Sequence, residues 1–387
     1  MRALIIGGGI GGLTAAVALR RKGIEVEVYE KSPELREVGA GISLWANAVK
    51  GLRKLGLGDA LDSISLMNHE GAMRRSNGTF LSRTPAHELE RRFGGGVIVL
   101  HRAELLEMLA KSVGAANIHL GYECTGIDQD ADGVTAKFAN GETARGDILI
   151  GADGLHSVVR NWLGHNGQLR YSGYTAWRAV VRFDSSSIVP GEAWGRGRRF
   201  GLLPVKGGRV YWFATNNAPE GQHDSAEGPR ARLLSLFQGW HEPIEALIRA
   251  SDDSIILRND IHDRDPLPAW GRGRVTLLGD AAHPMTPNLG QGGCQAIEDA
   301  LELAASFANR TNPANAIKPE DALRNYESRR IPRTSSIVLA SRRLGRVGQI
   351  DAPLACSLRD FALRITPASF TFRTLAPVVG YEGHLAD

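Results

Sequence analysis

Two glycine-rich segments, far apart in the chain, carry residue types that could bind a phosphorylated cofactor. The first is Gly7-x-Gly9-x-x-Gly12, which follows the apolar residues 3–6. Glycines permit a tight turn and let the free amides of a helix N-terminus approach a pyrophosphate. Glu30 ends the next segment of alternating apolar residues, where a carboxylate can accept hydrogen bonds from ribose hydroxyls. An acid there disfavours a 2′-phosphate, so this pattern predicts FAD or NAD rather than NADP. The alternative is a tight turn before a packed helix.

The second segment begins at Gly279-Asp280, directly after an apolar stretch, and continues through the Pro/Gly-rich residues 287–293 into a helical pattern. Ligands of α/β proteins collect at the carboxyl ends of parallel strands, and a carboxylate there can bind polyol hydroxyls. The glycine-lined helix start can offer backbone N–H groups to an electron-rich ring edge. The alternative is a helix cap on a glycine-rich loop.

A third motif, Asp153-Gly154, follows the apolar residues 148–150. Taken alone, it is typical of a turn in which Asp153 and Ser157 cap a short helix.

The elements that must position these residues follow from the apolar patterns. Residues 3–6, 13–21 and 24–29 predict a strand, a helix and a strand, which together form a βαβ unit. Further strands are predicted at 123–127, 133–138, 143–150 and 274–278, with helices at 101–113, 231–249 and 294–307. Residues 175–183, 200–205 and 209–215 are rich in β-forming residues with short connections.

These patterns predict an α/β protein with α+β character. A Rossmann-like dinucleotide-binding domain (residues 1–172 and 262–345) is interrupted by an antiparallel β-sheet domain that binds the substrate (173–261). A C-terminal helical tail spans residues 346–387.

Composition excludes several classes of protein. The chain has 387 residues and a net charge of +4, and its basic residues are mostly interspersed with acids, so no nucleic-acid-binding face is indicated. Its 3 cysteines are far apart, which argues against a disulfide framework or a zinc site. No leader pattern and no run of roughly 18 apolar residues is evident. We expect a cytoplasmic monomer or homodimer with no metal, no nucleic-acid partner and no membrane span.

The order of the three motifs resembles that of the single-component, para-hydroxybenzoate hydroxylase-like FAD-dependent monooxygenases. The resemblance runs from Met1 to about Arg333. Within that family, the chain looks most similar to the branch that contains urate hydroxylase, salicylate hydroxylase and zeaxanthin epoxidase. It implies that FAD is bound by the following residues: Gly7, Gly9, Gly12, Glu30, Arg36, Arg102, Asp153, Asp280, Gly290, Gly292 and Gly293. It also places Pro287 beside the isoalloxazine ring, and Arg199 and Tyr211 at positions that hold the substrate in urate hydroxylases.

The resemblance also implies a mechanism. NADH or NADPH, bound transiently, reduces the flavin, which reacts with O₂ to give a C4a-hydroperoxide that transfers one oxygen atom to a small substrate. We expect that substrate to be aromatic or purine-like, with its anion stabilised by Arg199 or Arg178. The Thr175–Arg178 segment departs from the urate hydroxylase pattern, so urate is one possibility. Two alternatives are an epoxidase or tailoring enzyme acting on an isoprenoid or polyketide, and a flavin-binding regulator without turnover.

Overall fold

The computed structural model describes residues 1–35, 41–68, 70–94, 96–224, 227–307 and 317–381. The strands are β1 (Arg2–Ile6), β2 (Glu25–Glu30), β3 (Gly41–Leu44), β4 (Leu66–Asn68), β5 (Glu70–Arg75), β6 (Phe80–Pro85), β7 (Val97–His101), β8 (Ile118–Leu120), β9 (Cys124–Gln129), β10 (Val134–Phe138), β11 (Thr143–Gly146), β12 (Ile148–Gly151), β13 (Arg170–Arg182), β14 (Gly191–Trp194), β15 (Arg198–Val205), β16 (Arg209–Asn217), β17 (Leu257–Asp263) and β18 (Val275–Leu277). The helices are α1 (Ile10–Arg21), α2 (Ala46–Lys54), α3 (Gly58–Ile64), α4 (Ala86–Phe93), α5 (Arg102–Val113), α6 (Val158–Trp162), α7 (Gly228–Leu236), α8 (Ile244–Arg249), α9 (Gly292–Ala305), α10 (Pro319–Gly348), α11 (Pro353–Ile365) and α12 (Ala368–Val379).

A parallel five-stranded sheet, in the order β18-β12-β1-β2-β8, forms the half that the sequence predicts to bind a nucleotide. β1 is a run of buried apolar residues after Arg2, as expected of a strand that is covered on both faces. Small residues in α1 let α9 pack closely: a Cβ on Gly11 would lie 2.7 Å from Leu278 and 3.2 Å from Ala296. The predicted α/β class with a Rossmann-like fold is confirmed. Its geometry brings the first glycine turn next to the end of β18.

A seven-stranded sheet, in the order β17-β13-β16-β15-β14-β5-β6, forms the second half. All neighbouring pairs are antiparallel except β14 and β5, which are parallel. On its back face Trp177, Phe200 and Trp212 pack under α7 and α8. Both tryptophans are therefore core residues. β5 and β6 come from residues 70–85, which the sequence assigns to the nucleotide domain. The seven-stranded sheet therefore contains strands from both predicted domains.

The predicted strand 143–150 is wrong in one respect, because it is two strands in different sheets. β11 pairs with β10 in a small antiparallel sheet, whereas β12 joins the parallel sheet beside β1. The change of direction falls at Gly146 and Asp147. A Cβ on Gly146 would lie 2.9 Å from Leu4 Cγ, and Asp147 Oδ2 accepts a hydrogen bond from the backbone N–H of Arg2 at 2.6 Å. The predicted helical region 231–249 is likewise divided, into α7 and α8.

The C-terminal helices brace the second sheet against the nucleotide fold. α10 is 30 residues long and ends beside the loop that precedes α9, where a Cβ on Gly345 would lie 2.4 Å from Asn288. α11 follows at the edge of the sheet: its Asp360 pairs with Arg75 of β5 at 2.9 Å. In the part of the chain that the structure describes, no helix combines the length and the hydropathy needed to cross a membrane.

Candidate active site

The first glycine turn is tightly packed at Gly7 and Gly12 and open at Gly9. Gly7 has φ +110°, which favours glycine, and a Cβ there would lie 2.4 Å from the carbonyl oxygen of Ala152. A Cβ on Gly12 would lie 2.0 Å from the carbonyl oxygen of Gly7. At Gly9, by contrast, no described atom beyond the chain neighbours lies within 4 Å of the Cβ position, and no described side chain caps α1. The amides of this helix start face a space that fits a pyrophosphate.

Glu30 is held against this turn. Its Oε2 accepts a hydrogen bond from the backbone N–H of Gly8 at 2.7 Å, and its Oε1 accepts one from Ser32 at 2.9 Å. The carboxylate therefore braces the glycine turn. Each carboxylate oxygen has more than one lone pair, so the acceptor capacity that a ribose contact requires is retained.

Asp153 lies at the end of β12, beside Gly7, and caps α6. Its Oδ1 accepts a hydrogen bond from the Ser157 hydroxyl at 2.5 Å, and its Oδ2 accepts one from the Val158 N–H at 2.7 Å. Burial raises the pKa of the Asp153 carboxyl, and these hydrogen bonds oppose that rise. The helix-cap alternative given for this motif describes its geometry. A contact with a cofactor stays a prediction.

The second glycine segment converges on Asp280, which follows β18. Its side chain is exposed to solvent, yet desolvation by the surrounding protein raises the pKa of its carboxyl, and the positive charges of His283 and Arg102 oppose the rise. A Cβ on Gly292, at the start of α9, would lie 3.9 Å from Asp280 Oδ1. An exposed carboxylate suits the binding of hydroxyls, and the neighbouring helix start and guanidinium suit an anion. Arg36, also predicted to contact the cofactor, lies outside the described residues.

Residues 287–293 form a one-turn 3₁₀ helix followed by the start of α9. Pro287 and Gly290 are exposed, and Gly290 ends the turn in the left-handed conformation at φ +62°. A Cβ on Gly290 would lie 3.1 Å from the indole nitrogen of Trp45, and one on Gly293 would lie 2.9 Å from Ile42. These glycines therefore let the N-terminus of α9 approach β3 closely. The predicted positions at this loop all lie at the same edge of the nucleotide fold.

Arg199 lies on the front face of the seven-stranded sheet, which is the face opposite α7 and α8, and its side chain reaches this loop. Its side chain is only 2% exposed. Its guanidinium donates to Asn288 Oδ1 at 2.6 Å and to Gln349 Oε1 at 2.9 Å, and Glu192 lies 3.7 Å away. Tyr174, from β13, also donates to Asn288 Oδ1, at 3.2 Å. The structure thus brings the sheet arginine and the late loop into contact.

Tyr211 lies on the same front face, since Leu203 and Arg199 of β15 pair with Tyr211 and Thr215 of β16. It is buried, and a Cβ on Gly41 would lie 2.3 Å from its ring, so the ring packs on the backbone of β3. Burial raises the pKa of the Tyr211 hydroxyl, and the positive charges of Arg178 and Arg102 oppose that rise. The hydroxyl is therefore neutral and can donate a hydrogen bond.

A buried charge network beneath the second loop was missed by sequence reasoning. Asp299 of α9 accepts hydrogen bonds from Arg330 and His283, each at 2.6 Å, and from the Gly279 N–H at 3.0 Å. Burial alone would raise the pKa of Asp299, but the charges of His283 and Arg330 lower it to about 2. Glu298 pairs with Arg330 at 2.6 Å. The available signal was the adjacent acids Glu298-Asp299 in one helix and the basic residues of the late helix.

His283 is 3% exposed and hydrogen-bonded to Asp299. Across the described ranges, no group of three or more His, Cys, Asp or Glu side chains is arranged to hold a metal ion.

Comparison with known proteins places this geometry among flavoproteins. A family model described as "FAD binding domain" matches residues 1–341. The chain is 44% identical over 369 residues to the aurachin C monooxygenase/isomerase of Stigmatella aurantiaca, an alignment that covers 94% of this chain and 93% of the relative. It is 41% identical over 352 residues to the FAD-dependent urate hydroxylase of Klebsiella pneumoniae, with 89% of each chain covered.

Solved structures agree with the sequence relatives. Klebsiella pneumoniae HpxO complexed with FAD and uric acid matches with a TM-score of 0.91 at 36% identity, covering 98% of this chain and 96% of the other. A salicylate hydroxylase substrate complex matches with a TM-score of 0.79 at 26% identity, covering 99% and 96%.

Proposed function

This chain belongs to the FAD-binding-domain family and is a class A flavoprotein monooxygenase, and from that premise we propose that it uses NADH or NADPH and O₂ to hydroxylate a small planar ring, aromatic or purine-like. The observation that carries the proposal is the buried guanidinium of Arg199. It lies on the substrate sheet and donates to Asn288 of the loop that precedes α9. A buried cation at this place suits a substrate that ionises to an anion.

The residues of the two glycine segments fit FAD. Open space at Gly9 and the uncapped start of α1 suit the pyrophosphate, with Glu30 near the adenosine ribose. Asp280 and Arg102 suit the ribityl chain and a neighbouring anion, and Pro287 and residues 290–293 would border the ring. When bound, FAD supplies the redox chemistry: two electrons from NAD(P)H activate O₂, one oxygen atom goes to the substrate and the other leaves as water.

The side chains of the sheet orient and activate the substrate. Arg199 stabilises the anion of a phenol or enol, which makes the ring carbon more nucleophilic. The neutral hydroxyl of Tyr211 donates a hydrogen bond that fixes the ring orientation. Phe213 lies between Arg199 and Tyr211 on the same face of the sheet. Its ring covers Gly201, where an added Cβ would lie 2.0 Å from the ring. An aromatic wall there excludes water from the reacting face.

A larger, more apolar substrate is the second candidate. Leu203, Val205 and Val180 share the front face with Tyr211, and a 44% identical relative is an aurachin C monooxygenase/isomerase. Apolar walls favour an extended ligand, whereas the buried cation favours a compact anion. The two candidates differ in the ring substituents that they tolerate.

A substrate screen tests the proposal. The FAD-loaded protein is offered phenols, purines including urate, indoles and aromatic compounds with long alkyl chains, and NAD(P)H oxidation, O₂ uptake, peroxide and product mass are followed. The expected result is stimulation by a ring compound, with a product heavier by one oxygen atom and little peroxide. A protein that holds FAD yet gives only peroxide with every ring compound would contradict the proposal. Turnover confined to long-chain substrates would select the second candidate.

A further inference from the structure

The outer face of α11 is apolar. Leu354, Leu358, Phe361 and Ile365 are 82%, 70%, 60% and 62% exposed. They recur at helical spacing, so they form one continuous stripe on the helix. Phe370, 57% exposed at the start of α12, extends the same kind of surface. Single exposed apolar residues are ordinary, but a contiguous stripe of this kind marks an interaction site.

The core-facing side of α11 is polar, which is the reverse of an ordinary surface helix. Its buried residues include Arg359 and Asp360. Arg359 donates to the carbonyl oxygen of Gly195, and Asp360 pairs with Arg75 at 2.9 Å. The helix is therefore held to the protein by ion pairs and hydrogen bonds. Its apolar side chains are left outward, where no packing within the described part of the chain covers them.

The segment that forms α11 and α12 carries a net positive charge. From residue 352 to residue 380, Asp360 is the only acidic residue, and it is buried and paired. Arg364 and Arg373 are exposed, and neither has an acidic partner among the described residues. A basic rim beside an apolar stripe is the pattern by which helices lie in the interface of an anionic lipid layer.

A cavity of about 630 Å³ opens beside the stripe, between α4 and α12. Its lining combines aromatic and basic side chains: Arg92, Phe93, Phe370, Phe372 and Arg373. The Arg92 guanidinium lies 4.8 Å from the centre of the Phe372 ring and is paired with Glu88 at 3.0 Å. Apolar walls with guanidinium groups at the surface suit an acyl chain that carries an anionic headgroup.

We propose that the α11–α12 surface, defined by Leu354, Leu358, Phe361, Ile365 and Phe370 with Arg364 and Arg373, docks on an anionic lipid surface. The helices lie in the interface and do not cross it. A second copy of the chain is disfavoured as the occupant, because a twofold interface would set the same patch, with its net positive charge, against itself. The proposal is independent of the substrate, since it concerns binding without turnover.

Vesicle co-sedimentation of the full, FAD-loaded chain tests the proposal. The probes are vesicles of phosphatidylcholine alone and of phosphatidylcholine with phosphatidylglycerol. The expected result is binding to the phosphatidylglycerol vesicles that weakens as salt is raised. The double variant Leu358→Asp/Phe361→Asp should lower partitioning by roughly tenfold or more, because two apolar anchors become charged. Arg364→Gln/Arg373→Gln should weaken binding to the anionic vesicles only.

The matched control is Leu120→Asp, which changes an exposed leucine (39%) at the edge of the parallel sheet. It should bind vesicles as the wild type does, and all variants should retain FAD, which shows that they fold. Three outcomes would overturn the proposal: no co-sedimentation of the wild type, undiminished binding of the Leu358/Phe361 variant, or a wild-type dimer in solution that this variant dissociates while vesicles bind nothing. The last would assign the face to a second copy.

Discussion

Arg199 and Asn288 lie 89 positions apart in the chain, and the guanidinium of the first donates to the side-chain oxygen of the second at 2.6 Å. The contact joins the front face of the seven-stranded sheet to the loop that borders the start of α9. An anionic substrate that binds Arg199, as proposed above, must share this guanidinium with Asn288 and Gln349 or displace them. Under the proposed function, substrate binding would therefore be coupled to the position of residues 287–293.

Arg199→Gln should weaken substrate binding much more than FAD binding. Loss of a charge-assisted hydrogen bond to a bound anion removes about 1.5–3 kcal/mol, so the substrate KM should rise by roughly one to two orders of magnitude. The measurements are the substrate KM and an FAD titration of the apoprotein. Arg198→Gln is the matched control, because Arg198 turns to the other face of β15 and contacts Asn216 and the Leu236 carbonyl. An unchanged KM in Arg199→Gln would remove Arg199 from the substrate site.

Gly9→Val and Gly12→Ala should fail in different ways. The Cβ of residue 9 points into open space and Gly9 has φ −75°, so valine fits the apoprotein but occupies the space proposed for the pyrophosphate. FAD affinity should fall by about two orders of magnitude, or about 3 kcal/mol, with an unchanged free energy of unfolding of the apoprotein. A Cβ at Gly12 meets the Gly7 carbonyl at 2.0 Å and should destabilise the apoprotein by about 1–3 kcal/mol or more.

The two glycine variants are separated by urea unfolding of the apoprotein and by fluorescence titration with FAD. A Gly9→Val protein that retains flavin normally would show that the pyrophosphate lies elsewhere.

The tight packing of the first glycine turn could be predicted from the sequence because backbone geometry dictates its residue types. Gly7 and Gly12 leave no room for a Cβ, so only glycine is tolerated, and such positions can be recognised without the fold. Ligands of α/β proteins collect at the carboxyl ends of parallel strands, and this rule predicts that the first glycine turn and Asp280 lie near each other. The packing of Gly11 on Leu278 agrees with that prediction.

Long-range pairings could not be predicted in the same way. β5 joins β14 in parallel although the two are separated by more than one hundred residues, and nothing in either strand specifies the partner. The ion network of Asp299 and Arg330 depends on how α9 and α10 face each other, because a charge pattern alone does not distinguish a buried pair from a solvated one. Similarly, the outward apolar stripe of α11 resembles a core face until its neighbours are known.

Tyr211→Phe should raise the substrate KM without changing its dependence on pH. Burial raises the pKa of the Tyr211 hydroxyl above its ordinary value of 10.0, so the group stays protonated across the assay range. Loss of one neutral hydrogen bond is worth about 0.5–1.5 kcal/mol, which predicts a rise in KM of roughly 2- to 12-fold. KM is measured from about pH 7 to about pH 10, the range below the ordinary tyrosine pKa. Tyr171→Phe, which removes a hydroxyl bonded to the Ala218 carbonyl, is the control. If the KM of the wild type changed at alkaline pH, and only Tyr211→Phe lost that change, the Tyr211 hydroxyl would ionise in the assay range.

Asp299→Asn should destabilise the protein at neutral pH and much less in acid. The folded-state pKa of Asp299 is lowered from 3.8 to about 2 by His283 and Arg330 against the effect of burial. A lowered pKa contributes stability that is fully present above the unfolded value, near pH 4, and is lost as the pH falls toward 2. This contribution is about 2–3 kcal/mol. Removing the charge also leaves Arg330 with Glu298 as its remaining acidic partner, so the total loss at neutral pH should reach about 3–5 kcal/mol.

Urea unfolding of wild type and Asp299→Asn near neutral pH and in acid measures this difference, which should shrink as Asp299 becomes protonated in the wild type. The control is Asp265→Asn, which removes a carboxylate that is 81% exposed and paired with Arg342 at 2.8 Å. Because solvent screens that pair, its loss should change stability little at either pH. If the wild type and Asp299→Asn lost stability in parallel on acidification, the ionised state of Asp299 would contribute nothing to the fold. The hydrogen bonds of Asp299 with Gly279 and His283 would then hold these residues without a contribution from its charge.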